Sequence, residues 1–238
     1  MADGFDRRVM YDATGVSAAI DEGLRSYMLR VYNYMASGLA LTGVVAYLTA
    51  SSPAMLHAIF GTPLAWVVML APLGIVFYLS ARVNKMSFSS AQTWFWVFAG
   101  VMGLSLASIF VLYTQTSIAK VFFITAASFG SLSLYGYTTK KDISGWGSFL
   151  FIGLIGIIIA SIVNIFLHSS GLSFAISIIG VLVFAGLTAY DTQQIKEMYV
   201  ASDGREIAGK KAVMGALRLY LDFINLFLML LRLLGNRN

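Results

Sequence analysis

The sequence predicts an all-α polytopic membrane protein with seven transmembrane helices. Of its 238 residues, 58% are hydrophobic and only 11% are charged, whereas soluble domains are about 25% charged. The apolar residues form long runs, and short polar connectors between the runs hold most of the lysines and arginines. We therefore expect a single transmembrane domain at 26–238, preceded by a cytosolic N-terminal tail at 1–25.

Seven apolar segments are long enough to cross a bilayer as helices, which takes about 20 residues each. In chain order, the predicted spans are 26–50, 62–82, 91–114, 118–137, 146–168, 173–194 and 211–234. Each span ends where a polar or turn-forming connector interrupts the apolar run. The longest and most charged connector, EMYVASDGREIAGKKA, precedes the last span.

The connectors between the spans alternate in charge. Those after the first, third and fifth spans contain no lysine or arginine, whereas those after the second, fourth and sixth spans are basic. The basic residues are Arg82, Lys85, Lys140, Lys141, Lys196, Arg205, Lys210 and Lys211. Because cytoplasmic connectors carry the excess of basic residues, the N-terminus is expected in the cytoplasm.

The same rule leaves two alternatives for the C-terminus. Seven spans place it outside the cytoplasm, yet Arg232 and Arg237 lie near the end of the chain. Either these late charges are tolerated outside, or the last segment is re-entrant and returns to the cytoplasm.

Two carboxylates stand inside the apolar segments of the last two spans. Asp191 ends the run SISIIGVLVFAGLTAYD, and Asp222 lies within MGALRLYLDFINLFLMLL. Between Glu22 and Asp191 the only acidic residue is Asp142, which lies in a connector. An ionisable group at the centre of a bilayer costs about 2.5–3.5 kcal/mol on insertion scales, so a functional role is the default hypothesis.

Two interpretations of this pair stay open. In the first, Asp191 and Asp222 meet across a helix–helix contact and share one proton as a coupled pair. When both are ionised, they would form a weak, part-hydrated site for Ca²⁺. In the second, Asp222 pairs with Arg218 one turn earlier, and Asp191 with Lys196 or with interfacial water. Arg82 is a candidate latch that would clamp Asp191, or else a basic anchor at the membrane surface.

Four polar residues are candidates for the lining of a hydrated path. Arg218 and Asn225 share one face of the last span with Asp222, because they are four and three residues away from it. Thr188 lies on the sixth span, and Asn33 lies on the first. Polar groups within a membrane face the bundle interior or a water-filled cavity, so these side chains are expected to face inward.

Other functional classes have little support. The chain has no cysteine, which excludes a disulfide, a Cys-bound zinc ion and a thiol nucleophile. It has no HExxH, P-loop or nucleophile-elbow motif. Its basic residues follow membrane topology rather than a nucleic-acid-binding patch. We expect neither an enzyme, nor a resident cofactor, nor a nucleic-acid partner.

Several segments resemble the transmembrane Bax inhibitor motif family, and in particular its bacterial members. The likeness extends from about residue 25 onward and is most specific near the end of the chain. The matching segments are LYLDFINLFLMLLRLLG (219–235), AYDTQQI (189–195), FITAASFGSLSLYGYTTKKDIS (123–144) and VYNYMASGLALTG (31–43). The resemblance implies a fold in which a central helix is surrounded by six others.

The resemblance also implies a function. It points to a pH-dependent calcium leak gated by an Asp pair that matches Asp191 and Asp222, with Arg82 at the latch position. Eukaryotic relatives suppress cell death, and bacterial relatives are linked to a membrane-bound quality-control protease. A bacterial inner membrane is therefore the expected location, with the lipid bilayer, Ca²⁺, protons and such a protease as expected partners.

Three alternatives to the leak remain. A membrane scaffold that modulates a protease, stress or cell-death pathway would depend on the N-terminal tail and on the connector at 195–211. The second alternative is an intramembrane aspartyl protease. Such proteases share a Gly-x-Gly-Asp motif around the second aspartate, whereas this chain reads Leu219-Tyr220-Leu221-Asp222 there. A proton-coupled transporter would show a flux that saturates with substrate.

Overall fold

The computed structural model describes residues 3–238, with side chains described from residue 20 onward. Within this part of the chain the fold is all-helical, apart from one isolated β-bridge. The helices are α1 (Asp3–Ala50), α2 (Pro53–Phe60), α3 (Leu64–Arg82), α4 (Phe88–Leu112), α5 (Gln115–Thr138), α6 (Trp146–Leu167), α7 (Ser170–Glu197) and α8 (Arg205–Leu234), and a 3₁₀ turn at Val83–Lys85 follows α3. Much of the predicted tail at 1–25 lies outside the residues with described side chains, so its role stays a prediction.

Seven of the described helices are long and apolar enough to cross a membrane, which confirms the predicted number and order of spans. The largest shift is at the last span. It begins at Arg205 rather than 211. The connector before the last span is therefore shorter than its polar sequence indicated.

The short helix α2 was not predicted. It begins within the first connector, where the Ser52 hydroxyl accepts a hydrogen bond from the backbone N–H of Met55 at 3.3 Å and Pro53 occupies the first turn. A serine followed by a proline is a recognisable helix start. The segment is only eight residues long, which is too short to cross a bilayer.

Helix α8 forms the core of the bundle. It is the most buried of the seven candidate spans, and it packs against α1, α4, α5 and α7. Helix α3 packs chiefly on α4, and α6 packs chiefly on α7. The expected ring of six helices around a central one therefore stays a prediction, because two of the six contact mainly the helices that surround α8.

Small residues bring several helices close together. A Cβ atom added at Gly136 of α5 would overlap the backbone carbonyl of Ala189 on α7. A Cβ atom added at Gly38 of α1 would lie 2.8 Å from the ring of Phe95 on α4. Such contacts are typical of membrane bundles, where van der Waals packing rather than water exclusion holds helices together.

The end of the bundle that carries the basic connectors, here called the basic end, is tied by polar side chains. Lys211 Nζ contacts Asp203 at 2.5 Å and donates to the Met198 carbonyl at 2.9 Å. Gln193 of α7 donates to the Lys141 carbonyl at 2.9 Å and accepts from the backbone N–H of Ile143 at 3.0 Å. These contacts fix the α5–α6 and α7–α8 connectors to the ends of the helices.

The C-terminus lies at the opposite end of the bundle. Helix α8 runs without a break from Arg205 to Leu234, which excludes the re-entrant alternative. The last residues then pair with the α4–α5 connector: the N–H of Thr114 donates to the Asn236 carbonyl, and the N–H of Asn238 donates to the Leu112 carbonyl, both at 3.1 Å. The late basic residues are therefore accommodated on the side whose connectors lack lysine and arginine.

Candidate functional site

The antiparallel packing of α7 on α8 brings the two buried acidic positions to the same level. Lys211, six residues into α8, hydrogen-bonds the carbonyl of Met198 at the end of α7. The first turns of α8 therefore extend beyond α7. Counting from these two contact points, Asp191 lies roughly 10 Å along α7 and Asp222 roughly 16 Å along α8. Helix tilt closes the remaining difference.

The side chains of Asp191 and Asp222 lie within hydrogen-bonding reach of each other. Asp222 is only 5% exposed, and Asp191 is half-buried. The Oδ2 atom of Asp222 is fully buried and has no hydrogen-bond partner among the described residues. The two carboxylates therefore lie close to each other between α7 and α8.

Arg218 is the basic residue near this pair. It precedes Asp222 by one helical turn, and its positive charge acts on both carboxylates. Its side chain is exposed, and no salt bridge within 4 Å joins it to either carboxylate among the described residues. Arg218 therefore balances the charge of the pair without closing an ion pair with it.

Lys196 does not form the ion pair with Asp191 that the second interpretation of the sequence offered. Its ammonium group donates to the carbonyl of Tyr137 at 2.9 Å and lies 5.9 Å from the centre of the Tyr137 ring. Lys196 therefore joins α7 to the end of α5, and Asp191 faces Asp222 instead.

Arg82 is not brought to the carboxylate pair. It is exposed at the end of α3, a helix that packs chiefly on α4. The two carboxylates lie between α7 and α8, and the charge that acts on them comes from Arg218. In this conformation Arg82 has the position of a basic anchor at the end of a span.

The other three pore-lining candidates have different surroundings. Thr188 is fully buried and donates to the Phe184 carbonyl at 2.7 Å. The Asn225 side chain donates to the Leu221 carbonyl at 2.8 Å. Asn33 is exposed and lines a separate polar groove that also contains Arg30 and Arg205. Spacing predicted that Asn225 shares a face of the last span with Asp222, but the sequence did not indicate which groups any of these three side chains would meet.

A chain of hydroxyl groups next to the pair was not predicted. The Tyr32 hydroxyl lies 2.7 Å from Ser133 Oγ, which lies 2.9 Å from Thr192 Oγ1. Thr192 follows Asp191 directly in sequence and donates to the Thr188 carbonyl at 2.7 Å. The chain links α1, α5 and α7 through buried or half-buried polar atoms. The feature of the sequence that could have indicated this chain of hydroxyl groups is the presence of serine, threonine and tyrosine residues inside apolar runs.

A second hydroxyl contact joins the core helix to its neighbours. Tyr220, which is completely buried, places its hydroxyl 2.7 Å from Thr42 Oγ1. Thr42 also donates to the Ala99 carbonyl at 2.8 Å. This contact connects α8, α1 and α4 two residues before Asp222.

The donor set at the pair fits only a weakly held cation. No group of three or more histidine, cysteine, aspartate or glutamate residues suited to a metal ion occurs among the residues that the structure describes. Two carboxylates provide at most four oxygens, whereas Ca²⁺ prefers six to eight. Water would have to complete the coordination of any cation between Asp191 and Asp222.

The fold and this site define a multi-pass α-helical membrane protein with a pair of acidic residues in its core. Residues 24–238 match the family described as "Inhibitor of apoptosis-promoting Bax1". The chain belongs to this family, which confirms the resemblance seen in its motifs.

Curated relatives cover almost the whole chain. It is 53% identical to protein RP147 of Rickettsia prowazekii, over 94% of this chain and 95% of the relative. It is 49% identical to the inner membrane protein YbhL of Escherichia coli K12, over 90% of this chain and 93% of the relative. A membrane protein of Streptococcus pyogenes, SpyM3_0260, is 36% identical over 92% of this chain and 96% of its own length.

Proposed function

We propose that this protein is a pH-sensitive cation leak, with Ca²⁺ as the permeant ion, gated by Asp191 and Asp222. The observation that carries the proposal is the contact between these two carboxylates on α7 and α8. Two acidic residues placed together inside a membrane bundle are costly, and such groups mark ion and proton pathways. Membership of the Bax inhibitor family supports the same function.

The gate follows from the chemistry of two touching carboxylates. With one proton between them, they hydrogen-bond to each other and hold α7 against α8. When that proton leaves, the two negative charges repel each other and attract a cation. A site with few protein ligands binds Ca²⁺ weakly, and weak binding favours passage over storage. The proposed activity is passive conduction, and it requires neither catalysis nor a cofactor.

We propose Arg218 as the counter-charge of the gate. It is the cation whose charge acts on both carboxylates, while Arg82 lies apart from them on α3. An exposed guanidinium beside the pair can turn toward the carboxylates when they are ionised and away when they share a proton. Arg82 would act as a latch only after α3 moved toward α7.

We further propose that the chain lies in a bacterial inner membrane with its N-terminus and basic end in the cytoplasm. The alternation of basic connectors supports this orientation. The name of the relative YbhL, an inner membrane protein, supports the location. The proposed partners are then the lipid bilayer, Ca²⁺ and protons.

The test is Ca²⁺ flux into liposomes that contain the purified full chain, scanned from about pH 5 to pH 8. Wild type is compared with Asp191→Asn, Asp222→Asn and the control Asp142→Asn, whose carboxylate is exposed in the α5–α6 connector. Each variant removes one acidic charge. Flux should depend on pH in wild type and in the control, and each core variant should flatten that dependence.

Two results would contradict the proposal. One is wild-type calcium flux no greater than that of empty liposomes at every pH. The other is an unchanged pH profile in both core variants, which would separate the flux from the carboxylates. The scaffold alternative would then be favoured, and its test is capture of a membrane-bound protease by the full chain and by Asp222→Asn, with equal capture expected.

A further inference from the structure

A polar groove lies at the basic end, where α1 meets the beginnings of α4 and α8. Its volume is about 350 Å³. We call it the arginine groove. Its lining residues are Arg30, Asn33, Tyr34, Ser37, Phe88, Trp96 and Arg205. The carboxylate pair does not line it, so an inference drawn from this groove is independent of the proposed leak.

The polar side chains of the groove share one face of α1. Arg30, Asn33 and Ser37 are three and four residues apart, which places them on one stripe. Counted from residue 26, the start of the span predicted from the sequence, the stripe runs from roughly 6 Å at Arg30 to roughly 17 Å at Ser37 along the helix. Exposed polar groups at this depth are unfavourable unless they face water or a polar ligand.

The groove has an excess of positive charge. Arg30 and Arg205 both line it and are both exposed, and no aspartate or glutamate is among its lining residues. Among the described residues, neither arginine forms a salt bridge within 4 Å. Two guanidinium groups that face one cavity repel each other until an anion lies between them.

The nearest carboxylate in sequence is already engaged. Glu206 follows Arg205, but its Oε1 atom accepts a hydrogen bond from the backbone N–H of Phe88 at 2.6 Å. Lys210 adds positive charge at this end of the bundle, where its ammonium group lies 3.3 Å from the Met86 carbonyl. Among the described residues, therefore, no carboxylate neutralises the two arginines, and the local charge favours the binding of an anion.

The donors in the groove match one class of anion. A guanidinium group binds phosphate oxygens through two parallel N–H donors, and an amide and a hydroxyl can supply additional hydrogen bonds. The aromatic walls, Tyr34, Phe88 and Trp96, offer apolar surface beside these donors. By contrast, the larger groove between α1 and α5, about 650 Å³, is almost entirely apolar and has Arg25 as its only charged lining residue.

We propose that the arginine groove binds a phosphate group, held by Arg30 and Arg205 with Asn33 and Ser37 as additional donors. The phosphate belongs either to the headgroup of an anionic phospholipid or to a soluble phosphate compound. A bound phosphate neutralises the two arginines and joins α1 to the first turn of α8.

The experiment uses the purified full chain in a neutral detergent. The double variant R30Q/R205Q removes both arginines of the groove, and the control R25Q/R232Q removes two other exposed arginines. Native mass spectrometry counts bound phosphatidylglycerol and, for comparison, zwitterionic phosphatidylcholine. In parallel, thermal unfolding is measured in inorganic phosphate and in chloride at equal ionic strength.

The two arms distinguish the two sources of phosphate. If the ligand is a lipid headgroup, wild type and control retain phosphatidylglycerol in preference to phosphatidylcholine, and R30Q/R205Q binds it at least about tenfold more weakly. If the ligand is soluble, inorganic phosphate raises the unfolding temperature of wild type and control but not of the double variant. Equal binding and equal shifts in all three proteins would overturn the proposal.

A second variant protects the test against misfolding. If R30Q/R205Q elutes as aggregate in size-exclusion chromatography, N33A/S37A replaces it, because that variant keeps both charges and loses two hydrogen-bond donors. Binding several-fold weaker than in wild type is expected. Binding equal to that of wild type would again overturn the proposal.

Discussion

Helices α6 and α8 are both rich in isoleucine, leucine and phenylalanine, yet they lie in opposite environments. Helix α6 is the more apolar of the two, but only 11% of its most apolar stretch is buried within the protein, against 67% for α8. Lipid tails are as apolar as leucine, so hydrophobicity alone does not draw a helix into the bundle. Close packing and polar contacts hold a helix inside the bundle. Helix α8 has both, whereas α6 presents its side chains to lipid.

The largest expected loss of stability comes from filling the narrow space between the interior helices α5 and α7. Gly136→Ala places a methyl group against the Ala189 carbonyl, so α5 and α7 must separate. Overpacking of this kind costs about 3 kcal/mol, which lowers the unfolding temperature by roughly 6–12 °C in a chain of this size. Thermal unfolding in detergent measures the shift.

The matched control for this change is Gly156→Ala on α6, where an added methyl group meets nothing within 4 Å. Alanine favours a helix over glycine by about 1 kcal/mol, so the control should be slightly stabilised. Similar losses of stability in the two variants would show that the interior is not more tightly packed than the lipid-facing helix.

Next in size is the loss of packing around the core helix. Ile224→Ala on α8 removes a side chain that is 7% exposed, and Ile152→Ala on α6 removes one that is 70% exposed to lipid. Ile224→Ala should lower the free energy of unfolding by about 2 kcal/mol through lost contacts. Ile152→Ala should lower it by a small fraction of that amount. Chemical unfolding in mixed micelles measures both. Equal costs would contradict the proposed difference between the two helices.

A smaller effect is expected from the buried hydroxyl contact of α8. Tyr220→Phe removes the contact with Thr42, while Thr42 still donates to the Ala99 carbonyl. Hydrogen bonds between membrane helices average about 0.6 kcal/mol, so the loss of unfolding free energy should be of that order. Tyr135→Phe is the control, since Tyr135 is exposed on α5. A loss above about 2 kcal/mol would show that Tyr220 does more than join α8 to α1.

The smallest effect concerns the connector that leads into α6. Two hydrogen bonds from Ser144 hold the pKa of the exposed Asp142 below its usual value. The larger effect comes from the Ser144 hydroxyl, and the smaller one from its backbone N–H at 2.8 Å. A lowered pKa in the folded state stabilises the fold above the unfolded-state pKa, and that stabilisation is lost as the pH falls through the folded-state value. Ser144→Ala should return the Asp142 pKa toward normal in a carbon-13 NMR titration. An unchanged value would assign the lowered pKa to another cause.

The spans and the carboxylate pair were predictable because each depends on a local property. A membrane helix needs a long apolar run, and seven such runs are visible in the sequence. Asp191 and Asp222 are conspicuous because acidic residues are otherwise nearly absent between Glu22 and Asp191. Their contact was one of the two interpretations that the sequence left open, and consecutive helices such as α7 and α8 are usually neighbours.

The surroundings of individual side chains were harder to predict. The sequence offered Asn33 as a pore-lining candidate on the first span, but it did not place that residue in a groove shared with the start of α8. The sequence offered Arg218 as a partner of Asp222 and Arg82 as a latch for Asp191, but it did not show that Arg82 lies apart from the pair on α3, which packs chiefly on α4. Which helices become neighbours depends on small residues such as Gly136, whose partner Ala189 is 53 positions away in the sequence.

The position of α8 in the chain has a consequence for biosynthesis. Helix α8, which forms the core of the bundle, leaves the ribosome after the seven other α-helices that the structure describes. Until it inserts, the faces of α1, α4, α5 and α7 that later surround it have no partner of their own. During that time the hydroxyl of Thr42 lacks its contact with Tyr220, and the carboxylate of Asp191 lacks its neighbour Asp222. The bundle therefore reaches its native packing only after α8 has been synthesised and inserted, and any factor that shields these helices must act before then.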